Sequence, residues 1–263
     1  MNAGWLSPSA TSHPARSHPA RVSAHHTLHP AIPAGLRVYA IGDIHGCADL
    51  LDRMIACIRT DMDRAPPRDA LCVLLGDYID RGPASARVLS TIESGLPVPS
   101  IALRGNHEQM LLDVLENPSR FETWRHLGGL ETLHAFGISI RDVAHGRGFE
   151  ETRHQLRAAL TPRIINLLHG MPCCYEVGDY FFCHAGVRPG ICLSSQHSDD
   201  LLWIREEFTG SPADHGRIVV HGHTPVETPD VRPNRINIDT GAYLTGTLTC
   251  LVLEGESRRF LST

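Results

Sequence analysis

The chain has no apolar stretch approaching the roughly 20 residues that a helix needs to cross a bilayer, so no membrane span is expected in its 263 residues. It has no C-x-x-C pair, and its eight cysteines are scattered apart from the adjacent Cys173 and Cys174. That spacing argues against a structural zinc site and against a disulfide framework. It suits mostly buried thiols in a reducing compartment, and a cytoplasmic location is expected. There is no long basic run and the formal charge is −5, which disfavours a general nucleic-acid binder. The first 35 residues contain no acidic side chain, no periodicity and no apolar segment of the length a secretory signal carries. Rich in Pro, Ser, Ala and His, they read as a disordered tail over 1–35. Metal binding by "SHPARSHP" and "AHHTLHP" is the less favoured reading of the same stretch.

At 42% hydrophobic and 20% charged, the chain otherwise has the makeup of an ordinary globular protein. Its unusual count is histidine, at 17. From residue 36 onward one device recurs: a short, β-branched apolar run ends abruptly in glycine plus a side chain able to hold a metal. "LRVYAIGDIHG" ends in Asp43 and His45, and "ALCVLLGDYID" in Asp77 and Asp80. "PSIALRGNHE" ends in Asn106 and His107, "YFFCHAG" in His184, and "RIVVHGHT" in His221 and His223. Each run has the length and composition of a buried strand, which puts each polar group at a strand's C-terminal end. Open α/β sheets place their sites at that edge. Between the first two runs, Leu50, Leu51, Met54, Ile55 and Ile58 recur at helical spacing, with Asp49 as the expected N-cap. Strand, helix, strand predicts a parallel βαβ unit. Segment 108–175 is helical in pattern and is expected as an insert over the site. Short strands return over 176–255, so the chain reads as one two-sheet α/β domain over 36–263.

Singly, each polar group has a bland explanation: an Asp after a strand is usually a turn residue, and a lone His is usually a satisfied core side chain. Five strand ends carrying such groups in concert are hard to explain that way, because charges are rarely buried unless paired or bound to metal. Mixed oxygen and imidazole donors suit Mn, Fe or Zn better than Ca or Mg. With one bridging carboxylate, such a set can hold two ions about 3.5–4 Å apart, the spacing of phosphoryl-transfer hydrolases.

The ordered set "GDIHG", "GDYIDRG", "GNHE", "HAG" and "GHT" resembles the motifs of the metallophosphoesterase superfamily, in the form of its serine/threonine phosphoprotein phosphatase branch. The likeness runs from about residue 37 to "INIDTGAYLTGTLTCL", and includes "WRHLGGLETLHAFG" and "LLWIREEF". It implies a two-sheet β-sandwich flanked by helices (αββα) and two divalent ions per chain, manganese first and Fe or Zn as alternatives. By motif position it assigns Asp43 and His45 to the first ion, Asp77 as the bridge, and Asn106, His184 and His223 to the second. His107 becomes the general acid with Asp80 as its carboxylate partner, Arg81 and Arg205 grip the phosphate, and Glu108 supports the site. His221 has no match. The implied chemistry is direct in-line attack by a metal-bridging hydroxide, with no phosphoenzyme.

The implied substrate is a phosphorylated protein or peptide, on Ser/Thr or with dual specificity, with small phosphoesters also open. The rival within the frame is symmetrical hydrolysis of diadenosine tetraphosphate. Such hydrolases typically carry Gln where this chain has His45 and lack the acid that is Asp80 here, so both residues favour the phosphoprotein branch. A rival of another class, a binding protein on an inactive phosphatase frame, would need a broken ligand position, and none of the six is broken.

Overall fold

The computed structural model describes residues 29–263. Ten strands follow in chain order: β1 (Leu36–Ile41), β2 (Asp69–Leu74), β3 (Ser100–Ala102), β4 (Cys174–Val177), β5 (Tyr180–Cys183), β6 (Ile218–His221), β7 (Asp230–Val231), β8 (Arg235–Asn237), β9 (Thr249–Glu254) and β10 (Ser257–Ser262). They form two five-stranded mixed sheets, ordered β10-β9-β1-β2-β3 and β4-β5-β6-β8-β7. β1, β2 and β3 run parallel, as do β5, β6 and β8, while β9 and β10 are antiparallel additions at one edge of the first sheet.

The two sheets share an apolar layer that includes Val38, Ala40, Val73, Leu103, Phe182, Val220, Ile236 and Leu251. The outer face of the first sheet (Tyr39, Ile41, Leu74, Cys250, Val252) packs on helices, and the outer face of the second (Phe181, Cys183, Val219) packs on Leu201, Ile204 and Phe208. Strands covered on both faces read as continuous apolar runs without alternation, which is why each was conspicuous in the sequence. The result is the expected sandwich of two sheets flanked by helices.

The βαβ unit forms as expected, with α1 (Ala48–Arg64) burying Leu50, Leu51, Met54 and Ile58 between parallel β1 and β2. Asp49 is not its N-cap. The N-cap is Cys47, two residues earlier, and Asp49 in the first turn pairs instead with Arg87, 2.7 Å away on α2 (Ser85–Ser94). Helical structure between β3 and β4 runs from α3 (Asn106–Glu116) through α4 (Phe121–Trp124), α5 (Gly129–Ala135), α6 (Arg141–Ala144), α7 (Phe149–Ala159) and α8 (Pro162–Gly170). The insert thus begins two residues before the expected 108 and gives way to β4 at Cys174. The split between α7 and α8 falls at Thr161-Pro162, where the Thr161 hydroxyl accepts from the Ile164 amide and proline takes the first helical position.

Residues 1–28 of the expected tail lie outside the described residues. Its last part is bound to the domain: Ile32 is buried, its amide donates to the Gly255 carbonyl, and Ala31 exchanges hydrogen bonds with Asp179. The domain boundary expected at residue 36 therefore moves back to about residue 30, because one buried isoleucine in a Pro-rich run gives no periodicity to read. The eight cysteines are free; Cys72, Cys183 and Cys250 are buried, Cys192 is exposed, and the rest are half-buried. Among the described residues, no helix is long and apolar enough to cross a membrane.

Candidate metal centre

The C-terminal ends of the parallel strands of both sheets meet at one edge. Asp43 and His45 follow β1, Asp77 follows β2, Asn106 and His107 open α3 after β3, His184 follows β5 and His223 follows β6. All seven are buried. The chain is bent sharply to present them. Among the described residues, the non-glycine positions with left-handed backbone are His45, Asp77, Asp80, Arg81 and His223, at φ between 45° and 70°. Each such position costs about 1–3 kcal/mol, and a packed surround must hold it. Close approach of neighbouring turns explains the glycines in the motifs. A β-carbon on Gly105 would collide with the Asp77 carboxylate, and one on Gly222 with that of Asp43.

Asp77 lies at the middle. One carboxylate oxygen is 3.4 Å from His45 Nε2 and 3.8 Å from His107 Nε2, and the other is 3.3 Å from His184 Nε2. Ligand atoms of His45, Asp77 and His107, and separately of Asp77, His184 and His223, lie close enough together for each group to hold an ion. The tautomers are set from outside. His45 Nδ1 donates to the Ile79 carbonyl (2.9 Å) and His184 Nδ1 to that of Leu75 (3.0 Å), which turns each Nε2 inward. His184 Nε2 then faces Asn106 Oδ1 at 2.8 Å, Asp77 Oδ1 and, at 3.1 Å, His223 Nδ1. So many acceptors around one nitrogen need a positive charge among them.

The electrostatics say the same. Burial disfavours a charged His184, yet Asp77 and Asp43 overrule it and lift its pKa to about 9. Burial lowers His45 to about 3 and His223 to about 2, leaving both neutral and available as ligands. Burial and the neighbouring Asp239 and Asp77 charges push the Asp43 carboxyl well above its usual range. Asp77 is held well below, its burial outweighed by His184 and His107. Asp43 Oδ1 and His223 Nε2 are buried without a partner. A proton on His184 and unpartnered atoms on Asp43 and His223 mark a donor set that cations would complete, so the residues present fit divalent ions.

Glu108 is buried between the two motifs. Its carboxylate accepts from the amides of Gly105 (2.9 Å), Asp77 (2.8 Å) and Tyr78 (2.7 Å), tying the start of α3 to the GDYID turn. His107 Nδ1 lies 2.6 Å from Asp80 Oδ2. The insert holds Asp80 in turn, through Trp124 Nε1 at 2.6 Å and the Thr132 hydroxyl at 2.5 Å. Arg81 reaches between two rings, with Nη1 2.9 Å from His45 Nε2 and Nη2 3.2 Å from His107 Nε2. The chain contains no lysine, so arginine is its only permanently charged side-chain cation. Arg205 is exposed at the rim, its Nη1 3.3 Å from the His223 carbonyl, and Trp203 stands edge-on to the His223 ring. His221 is buried against Phe208, away from the cluster of inward nitrogens.

Sequence reasoning passed over four side chains here. Trp124 and Thr132 have no local signal, since their role exists only once the insert folds over Asp80. Tyr243 packs edge-on against His45 and beneath the Arg81 guanidinium, 4.9 Å from ring centre to Arg81 Cζ. Asp239 is buried at the end of β8, and burial raises its pKa to about 6, with Asp77 adding to the rise. Its signal was present: "NRINIDT" is another apolar run ending in an acid.

Two facing sheets whose parallel strands deliver Asp, Asn and His to one edge define the frame of a metal-dependent phosphoesterase. A family profile for calcineurin-like phosphoesterases matches residues 36–245, and the chain belongs to that family. It is 32% identical to serine/threonine-protein phosphatase 1 of Salmonella typhimurium, over 81% of this chain and 89% of that protein. It is 26% identical to an asymmetrical bis(5'-nucleosyl)-tetraphosphatase of Bacillus velezensis, over 80% and 86% of the two chains. Among solved structures, a mutant of a cold-active protein tyrosine phosphatase shares the fold (TM-score 0.53, 16% identity, 88% of this chain and 83% of that one).

Proposed function

We propose that the protein is a phosphomonoester hydrolase dependent on two divalent ions, acting on phosphorylated proteins or peptides. The first ion is assigned to Asp43, His45 and Asp77, and the second to Asp77, Asn106, His184 and His223; manganese is the expected metal. When bound, such ions supply Lewis acidity and make hydroxide available near neutral pH. The chain's own residues do the rest. The Arg81 guanidinium, braced over Tyr243, offers a planar fork to phosphate oxygens, and Arg205 adds a second cation at the rim. His107 protonates the departing oxygen from Nε2, with Asp80 holding Nδ1 and favouring the charged ring.

The observation that carries this reading is the line Asp80–His107–Arg81 beside Asp77, an acid and an anion grip on one side of a ligand cluster. The presence of both His45 and Asp80, and the likeness to the Salmonella protein phosphatase, favour a phosphoprotein substrate. The likeness to tetraphosphatases keeps dinucleotide hydrolysis as the second reading. The test is metal-free protein reloaded with manganese and given phosphoserine, phosphothreonine and phosphotyrosine peptides beside diadenosine tetraphosphate. We expect phosphopeptides to give the higher kcat/KM. A clear preference for the dinucleotide would overturn the substrate assignment, and its products, ADP alone or ATP with AMP, would say which cleavage occurs.

A further inference from the structure

We propose that Asp239 is part of the metal centre, a third carboxylate that strengthens binding of the ion on the Asp43 side. The inference rests on the metal-centre reading above, in which that ion has three protein ligands and its neighbour four.

β8 runs parallel to β6, so the turn after it ends at the same edge as His223. Gly42, the residue before Asp43, packs against the backbone of Ile238 and Asp239 so closely that a β-carbon there would collide with the Ile238 carbonyl. Asp239 is 2% exposed. Its Oδ1 accepts from the Gly241 amide at 3.0 Å, and no salt bridge to it exists among the described residues. The charges it feels are those of the centre: Asp77, His184 and Arg81, while Asp43 feels Asp239 before any other charge.

A turn-capping role alone would not account for this. The bond from Gly241 needs one carbonyl-type oxygen, which asparagine supplies without burying a negative charge. Asp43, Asp77 and Asp239 put three buried carboxylates at one strand edge; Arg81 and His184 offset part of that charge, and a bound cation would offset more. Asp43 Oδ1 is itself buried without a hydrogen-bond partner, so this carboxylate has an acceptor left for a cation. Asp239 therefore acts as a positioning residue: it adds negative charge and an acceptor next to Asp43.

The experiment is titration of metal-free protein with Mn²⁺ by calorimetry, together with melting of the metal-free form, in wild type and Asp239→Asn. Asparagine keeps the oxygen for Gly241. We expect the affinity of one of the two ions to fall about 10–100-fold, the usual effect of removing a group that supports a ligand. The metal-free variant should melt about 2–4 °C higher, because the substitution removes one of several buried like charges. A merely structural Asp239 would leave metal affinity untouched. Unchanged affinity for both ions, or a metal-free melting point that does not rise, overturns the inference. If Asp239→Asn fails to fold, Asp239→Ser, whose hydroxyl can also accept from Gly241, is read by the same criteria. Wild type that binds no divalent ion would overturn the metal centre itself, a failure distinct from that of Asp239.

Discussion

Replacing Asp80 with asparagine separates the charge of that side chain from its shape. In the structure Asp80 Oδ2 takes both His107 Nδ1 and Trp124 Nε1 at 2.6 Å, and Oδ1 takes the Thr132 hydroxyl. An asparagine can keep its oxygen toward His107 and Trp124 and turn its amide toward Thr132, whose hydroxyl has Ser85 Oγ 3.0 Å away as an alternative acceptor. The ring stays aimed and loses only its charged partner. A hydrogen bond between charged groups contributes about 1.5–3 kcal/mol. Losing that support for the protonated ring costs roughly 10–100-fold in kcat on a phosphoserine peptide. His107→Asn removes the acid altogether and should cost about 10²–10⁴-fold. p-Nitrophenyl phosphate leaves as a stable anion, so both variants should lose much less on it. The assay is kcat on both substrates, side by side, with metal content measured on the same samples. His107 Nε2 also lies within ligand reach of His45 and Asp77, so the metal measurement is decisive. Equal losses on the two substrates, or metal loss in the His107 variant, would refute the general-acid role.

Asp77→Asn should abolish measurable turnover and one equivalent of bound metal, because it weakens the carboxylate shared by both ligand groups; normal turnover with both ions retained would reduce Asp77 to a turn residue. Truncation before residue 29 should leave turnover within about twofold. Truncation before residue 36 removes buried Ile32 and should lower the melting temperature by roughly 3–12 °C, from about 1.5–3 kcal/mol of lost burial; equal melting of the two truncations would contradict the packing of that segment. Asp61 should carry an acid-sensitive part of the stability. Burial would raise its pKa, but Arg259, Tyr39 and Arg37, donating at 2.6, 2.7 and 3.1 Å, hold it below the usual value. Its contribution is therefore full above the unfolded-state pKa of about 3.9 and fades as pH falls through the lower folded value. Asp61→Asn should destabilise by about 1.5–3 kcal/mol at pH 7 in urea unfolding, with the gap to wild type closing toward pH 2; a gap independent of pH would show that charge plays no part.

The ligand-bearing strand ends were legible in the sequence because each is a local object. An apolar run, a glycine and a polar side chain occupy some ten consecutive residues, and burial on both faces makes the run unmistakable. The parallel βαβ start was legible for the same reason, from helical periodicity between two such runs. What local pattern does not carry is which edges meet. Only the packing of one sheet on the other brings His184 and His223 to Asp77 and Asn106, and only that packing makes Asp77 the middle of the cluster. The side chains that hold Asp80 come from 44 and 52 residues further along the chain, and nothing near Trp124 or Thr132 indicates their task. Asp49 and Ile32 show the same limit at smaller scale. Asp49 pairs with an arginine 38 residues away instead of capping α1, and a single buried side chain marks where the domain begins. Asp239 lies between the two cases. Its strand end resembles the others in sequence, but its place beside Asp43 follows from the parallel pairing of β8 with β6, a long-range contact that no short stretch of chain specifies.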